Sequence, residues 1–225
     1  MKRYIFPVIL GVVGCAILLS LGVWQLRRLA WKEEMLSQIT AQIAGPVQDL
    51  PPEGTDVQAL KYTPVMMAGA TTGEEILVLS GQKGGGPGYE VISAFETGDG
   101  RRVLLDRGFI PEAARRSPRP GTALIVTGNL HWPNEVDSYT PAPDLAAQVW
   151  YARDVPAMAT HLGAEPLLVV AARVDGDPQG VEPQPIAITG IPNDHLNYAI
   201  TWFSLAIVWA GMTAFLLWRI RRQQI

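Results

Sequence analysis

Tyr198–Trp218, YAITWFSLAIVWAGMTAFLLW, is a run of 21 residues without a single charge, and Arg219, Arg221 and Arg222 follow it at once. About 20 apolar residues are needed for a helix to cross the ~30 Å hydrocarbon core of a bilayer. The run meets that length, and Tyr198, Trp202 and Trp218 sit near its ends, where amphipathic rings settle at headgroup depth. A second stretch of this kind opens the chain. Tyr4–Val23, YIFPVILGVVGCAILLSLGV, has 20 uncharged residues, with Pro7 near its start and Tyr4, Phe6 and Trp24 at its ends. The fold class that follows is a membrane protein with two transmembrane α-helices flanking a β-rich domain.

Composition agrees. Charged residues make up 17% of the 225, and mean hydropathy is +0.14. Both argue against disorder and for a membrane class. A net charge of −3 argues against a nucleic-acid partner held by phosphate neutralisation. One cysteine, Cys15, excludes an internal disulfide framework and a cysteine-rich metal site.

Basic residues set the expected orientation. The arginines after Trp218 place the C-terminus in the cytoplasm, and two spans bring Lys2 and Arg3 to the same side. Arg27, Arg28 and Lys32 then lie outside, with Glu33 and Glu34 offsetting them. A cleaved signal peptide is disfavoured because the apolar run exceeds the usual h-region and no small-x-small site precedes Trp24. Lipoprotein cleavage before Cys15 would leave Ala16–Leu19 as a greasy mature start. The expected location is a bacterial inner membrane. The expected boundaries are a cytoplasmic N-terminus (1–3), a first span (4–23), its helical continuation into the periplasm (24–44), a periplasmic β-rich domain (45–193), a second span (194–218) and a cytoplasmic tail (219–225).

Within the middle region, short β-type runs separated by glycine and proline predict an antiparallel sheet or small barrel. They are Thr63–Thr71, Glu75–Ser80, Tyr89–Thr97, Arg102–Ile110, Ala123–Trp132, Val149–Arg153 and Leu167–Val174. Thr72-Gly73 and Gly98-Asp99-Gly100 read as turns, and 49–60 as a loop. Asp154–Leu162 reads as a short helix with Pro156 in its first turn and Gly163 as its stop. Gly176–Pro192 reads as an extended arm.

Few residues invite chemistry. Gly84–Gly88 resembles a phosphate loop but lacks the Gly-Lys-Ser/Thr ending and leads into a strand, so it reads as a hairpin loop. No catalytic constellation is visible, and an enzyme is not expected. His131 and His161 read as structural. Asp106 and Arg107 should point to opposite faces of a strand, either in ion pairs or on a partner-binding edge. Arg27 and Arg28 should snorkel to headgroups or meet a carboxylate of an embedded ligand. His195 stands apart. It opens the second span after Asn193 or Asp194, either of which can cap the helix. Helical spacing puts it on one stripe with Ala199, Trp202, Ala206 and Trp209. It is either an interfacial side chain wetted by headgroups or an iron ligand, with Ala199 leaving room for a flat macrocycle and Trp202 stacking on it.

Gly22-Val23-Trp24-Gln25-Leu26-Arg27-Arg28 with Trp31-Lys32 resembles the N-terminal signature of the Surfeit-locus (Shy-type) cytochrome c oxidase biogenesis family. Asn193 to Phe203 resembles its C-terminal signature. Val103–Pro111 is similar to the family's Leu-Val-Asn-Arg-Gly-Trp-x-Pro segment, with Asp106 replacing the usual Asn and Phe109 the usual Trp. Gly128-Asn129-Leu130 and Trp150–Asp154 fall in the expected order. The resemblance implies an assembly factor for the haem–copper oxidase that binds haem a and aids its insertion into subunit I. His195 matches the family's implied haem ligand. With it go Trp202 and, for the propionates, Arg28. Oxidase subunit I, haem A synthase and the lipid bilayer are the implied partners. The alternative is a membrane-anchored scaffold that stabilises subunit I without binding haem.

Overall fold

The computed structural model describes residues 2–82, 86–188 and 191–222. The chain divides into two units, one built of both ends (1–38 and 188–225) and one of the middle (39–187).

The first unit holds all but the last five residues of α1 (Lys2–Ile43) and the whole of α3 (His195–Arg222). Both are long and apolar enough to cross a membrane. Their contact explains the glycines of α1. A β-carbon at Gly11 would collide with Thr213 and one at Gly14 with Trp209, while one at Gly22 would lie 2.5 Å from Phe203. Small residues let two helices approach closely where lipid offers no hydrophobic drive for pairing. Trp209 Nε1 donates to the carbonyl of Leu10 (3.4 Å), and Ala199 and Ala206 are the buried residues of α3.

The second unit has seven strands, five of which close into a barrel. Its strands are β1 (Gln48–Asp49), β2 (Pro64–Gln82), β3 (Gly86–Thr97), β4 (Arg102–Pro111), β5 (Ala123–Leu130), β6 (Val149–Trp150) and β7 (Leu168–Gly176). The order β2-β3-β4-β7-β5 returns to β2, and β1 and β6 add short parallel pairings to β2. β4 pairs with β7 in parallel; the other four barrel pairings are antiparallel.

The sequence divides β2 into two strands with a turn at Thr72-Gly73; the structure joins them. Pro64–Ala70 pairs with β5, and Gly69–Gln82 pairs with β3 across a register shift between Thr71 and Glu75. Gly73 sits in that bulge at φ +85°, a conformation that favours glycine. The turn signal marks a bend in one strand that serves two neighbours. β1 falls at the start of the predicted loop. The turn of the Gly84–Gly88 hairpin lies partly outside the described residues, but Gln82 pairs with Gly86 as a hairpin requires.

All five barrel strands contribute to one interior cluster, including Val65, Phe95, Val103, Leu105, Val126 and Val169. The opposite face of the sheet carries Ile76, Ile92, Leu104 and Leu168, and α2 (Val155–Leu162) packs there through Val155, Met158, Ala159 and Leu162. Eight residues cannot hold a helix alone in water. Burial of an aliphatic side chain is worth about 1.5–3 kcal/mol, so these contacts supply what propensity cannot. Gly163 stops the helix as predicted, while Asp154, read from the sequence as its first residue, is its cap. Asp154 Oδ1 accepts from the backbone N–H of Ala157 (3.1 Å), and Gly163 closes the helix at φ 59°.

Candidate functional site at the start of the second apolar helix

His195 occupies the first turn of α3, half-buried. The helix begins through the carbonyl of Asp194, which accepts from Tyr198 N–H (3.1 Å). Of the two residues expected to cap the helix, Asn193 or Asp194, Asn193 does not: its Oδ1 is buried without a hydrogen-bond partner among the described residues. Lys32 of α1 donates its Nζ to the carbonyl of Pro192, tying the approach to α3 against α1.

The imidazole is held from α1. His195 Nδ1 lies 2.8 Å from Gln25 Oε1, and Gln25 is buried. With a carbonyl oxygen as its partner, Nδ1 is the donor, and in the neutral ring Nε2 keeps its lone pair. That is the tautomer an iron ligand requires, with its second nitrogen hydrogen-bonded as ligating histidines usually are. Sequence reading left Gln25 inside a signature without a role. A signal was present: Gly11, Cys15, Leu18, Gly22 and Gln25 recur at spacings of four and three. A glutamine on such a helix–helix seam needs a polar partner.

The stripe holding His195, Ala199, Trp202, Ala206 and Trp209 is the face that meets α1. His195 reaches Gln25, the Ala206 carbonyl faces Cys15 Sγ (3.9 Å), and Trp209 lies over Gly14. The room expected over Ala199 for a macrocycle is therefore absent; Ala199 is buried at 1% exposure. Trp202 lies seven residues beyond His195, about 10 Å along the axis, and is half-buried. Arg28 is exposed, with its guanidinium 3.9 Å from the ring centroid of Trp31 on the same helix. The structure thus brings Gln25 to His195, and Arg28 to Trp31.

The remaining candidates lie in the barrel. β4 is paired on both sides, so the partner-binding edge proposed for Asp106 and Arg107 does not exist. Both residues are buried, at 2% and 3% exposure. Arg107 is the extra residue of a bulge, since Val91 pairs with Gly108 and Ile92 with Asp106. It donates to Pro178 O and Gln179 Oε1, both at 3.0 Å. Asp106 Oδ2 accepts from Arg153 (3.2 Å), and its Oδ1 accepts from Gly108 N–H (3.1 Å). The same Arg153 nitrogen lies 3.2 Å from Glu90 Oε2, and Arg153 also pairs with Glu135. Burial, with the Glu90 charge added, pushes the Asp106 carboxyl up to about 7 against the pull of Arg153. His131 stacks on Tyr62 at 5.5 Å, and burial beside Arg153 lowers its pKa to about 4. His161, in the last turn of α2, meets the edge of Trp150 at 5.9 Å. Among the described residues no cluster of His, Cys, Asp and Glu has the arrangement of a metal site.

Comparison with known proteins places this geometry in a family. The SURF1 family model matches residues 12–207, which include both terminal signatures. The chain is 27% identical to Surfeit locus protein 1 of Xenopus tropicalis over 208 residues, covering 83% of this chain and 67% of the relative. It is 28% identical to a SURF1-like protein of Caenorhabditis elegans over 221 residues (84% and 67%). It is 26% identical to human Surfeit locus protein 1 over 213 residues (83% and 69%). With a model matching well over half its length and two apolar helices around a β-rich domain, the chain belongs to the SURF1 family, the Surfeit-locus family of oxidase assembly factors.

Proposed function

We propose that this chain is a membrane-anchored assembly factor for haem–copper cytochrome c oxidase, and that it holds haem a through His195 on the way to subunit I. The observation that carries the reading is the Gln25–His195 hydrogen bond at 2.8 Å, which leaves Nε2 free to ligate. Ionisable side chains at membrane spans are functional candidates because burying them idly is costly. Haem a is apolar over its ring and tail and charged at its propionates. A histidine at the mouth of an apolar helix suits the iron, and Arg28 at a similar depth on α1 is the cation for a propionate. Since the seam stripe is filled by α1, the macrocycle would approach His195 from another side, with Trp202 a weaker contributor than the iron bond. In this reading the chain sits in a bacterial inner membrane with both termini cytoplasmic and the barrel periplasmic. Subunit I and haem A synthase are its partners.

The filled seam favours one competing reading, a scaffold that stabilises subunit I and binds no haem. Haem a titrated into full-length protein in detergent separates the two. Wild type should bind, His195→Ala should lose binding, and Gln25→Leu should weaken it more than Arg28→Ala. A spectrum and haem content unchanged in His195→Ala would remove His195 as ligand and leave the scaffold.

A further inference from the structure

The barrel unit carries a cavity of about 790 Å³ lined by residues of that unit alone. Its wall is made by the bulged middle of β2 (Gly73–Leu77), the loop Arg115–Arg119, the turn at Ala147-Gln148 and the end of α2 (His161, Leu162). Most of these side chains are polar, which does not suit an apolar cargo.

The charge on this wall is unbalanced. The segment from 31 to 193 holds 11 basic and 20 acidic side chains, a net −9. Here three arginines and a histidine converge. The two acids present are already committed. Glu75 holds Arg119 through both carboxylate oxygens, with contacts of 2.6–3.1 Å, and Glu74 pairs with Arg102. Arg119 is itself buried and also donates to Ala114 O (3.1 Å), so the Arg119–Glu75 pair is a neutral buttress fixing the loop to β2.

Neither of the other two arginines pairs with an acid among the described residues. Arg115 gives one nitrogen to the carbonyl of Ala147 (3.2 Å) and stands over Tyr89 at 5.3 Å. A carbonyl and a ring orient a guanidinium without neutralising it, and its other donors stay open. Arg116 has no ion pair or hydrogen bond among the described residues, and the His161 ring nitrogens have none either. Two guanidinium forks, one of them pre-oriented, in a polar cavity of small-molecule size form a site for oxyanions.

We propose that this cavity binds a small polyanion, recognised by Arg115 and Arg116 through phosphate or carboxylate oxygens. The site is independent of His195 and does not rest on the haem reading.

The test is calorimetric titration of the full-length protein in detergent at low ionic strength with two probes, inorganic pyrophosphate and citrate. Arg173, exposed and paired with Asp175 outside the cavity, supplies the control variant Arg173→Gln. At least one probe should bind wild type and Arg173→Gln equally. The double variant Arg115→Gln/Arg116→Gln should bind about tenfold more weakly or worse. Tighter binding of pyrophosphate assigns a phosphate ligand; tighter binding of citrate assigns a carboxylate. To separate binding from folding of the loop, circular dichroism of the double variant must match wild type, and Arg116→Gln alone, at an exposed position, should still weaken binding. No heat with either probe, or equal affinity in wild type and the correctly folded double variant, overturns the proposal.

Discussion

Replacing Asp106 by Asn, the residue usual at this position in the family segment it resembles, should make the barrel less sensitive to pH. Asp106 is 2% exposed, and its folded pKa of about 7 stands above the ordinary 3.8. Burial is the main cause, with the Glu90 charge second, and Arg153 offsets them only in part. Each unit of difference is worth about 1.4 kcal/mol, so ionising this group in the fold costs on the order of 4 kcal/mol. The sign follows from proton counting. Between pH 3.8 and about 7 the folded state holds a proton that the unfolded state has lost, so stability is full below that window and falls as pH rises through it. His131, whose folded pKa is lowered, acts in the opposite sense: it removes stability as pH falls from 6.5 towards 4. Both proteins carry His131, so the difference between them isolates Asp106. An asparagine keeps the acceptor for Gly108 N–H and gives up the hydrogen bond from Arg153, which keeps Glu90 and Glu135. Urea unfolding of full-length protein in detergent, followed by the sheet signal in circular dichroism, should show D106N within about 1 kcal/mol of the parent at pH 4.5. At pH 8 it should be more stable by about 1–4 kcal/mol. A parent-minus-variant difference that stays constant from pH 4.5 to 8 would refute the reasoning.

Two further outcomes test the packing. Gly14→Leu should force α1 and α3 apart at Trp209, and Cys15, half-buried with its thiol towards the Ala206 carbonyl, should then react faster with a maleimide. Asp154→Ala should cost about 1 kcal/mol of barrel stability through the lost cap, and Met158→Ala, at a fully buried position on the same helix, about 2–5 kcal/mol, both read by urea unfolding.

What the sequence made legible followed its strongest physical signals. Twenty uncharged residues are hard to read as anything but a long apolar helix, and both runs appear as helices. Asp154, Pro156 and Gly163 mark α2 because caps are local chemistry, decided by residues within a turn of one another. The continuity of β2 was hidden for the opposite reason. Whether Thr72-Gly73 ends a strand or bends one depends on β3 and β5, whose pairing is set by residues far along the chain. The same is true of Asp106 and Arg107. Alternation assigns them to opposite faces, but only distant segments cover them, Arg153 over Asp106 and Pro178-Gln179 over Arg107. At the candidate site His195 was legible from its place at a helix mouth. Gln25 was not, because its partner lies 170 residues away.

The circular strand order has a consequence in time. β7 is the last strand made, and it closes the ring by joining β4 to β5. Until residues 168–176 have emerged from the ribosome, a nascent chain that has formed the other four strands carries two open edges, each able to recruit a stray strand. Closure then comes abruptly, with a segment of nine residues. A chain cut short before residue 168 should therefore fail as a whole rather than lose a part, and a chaperone or protease would meet an unfinished sheet, never a shortened barrel.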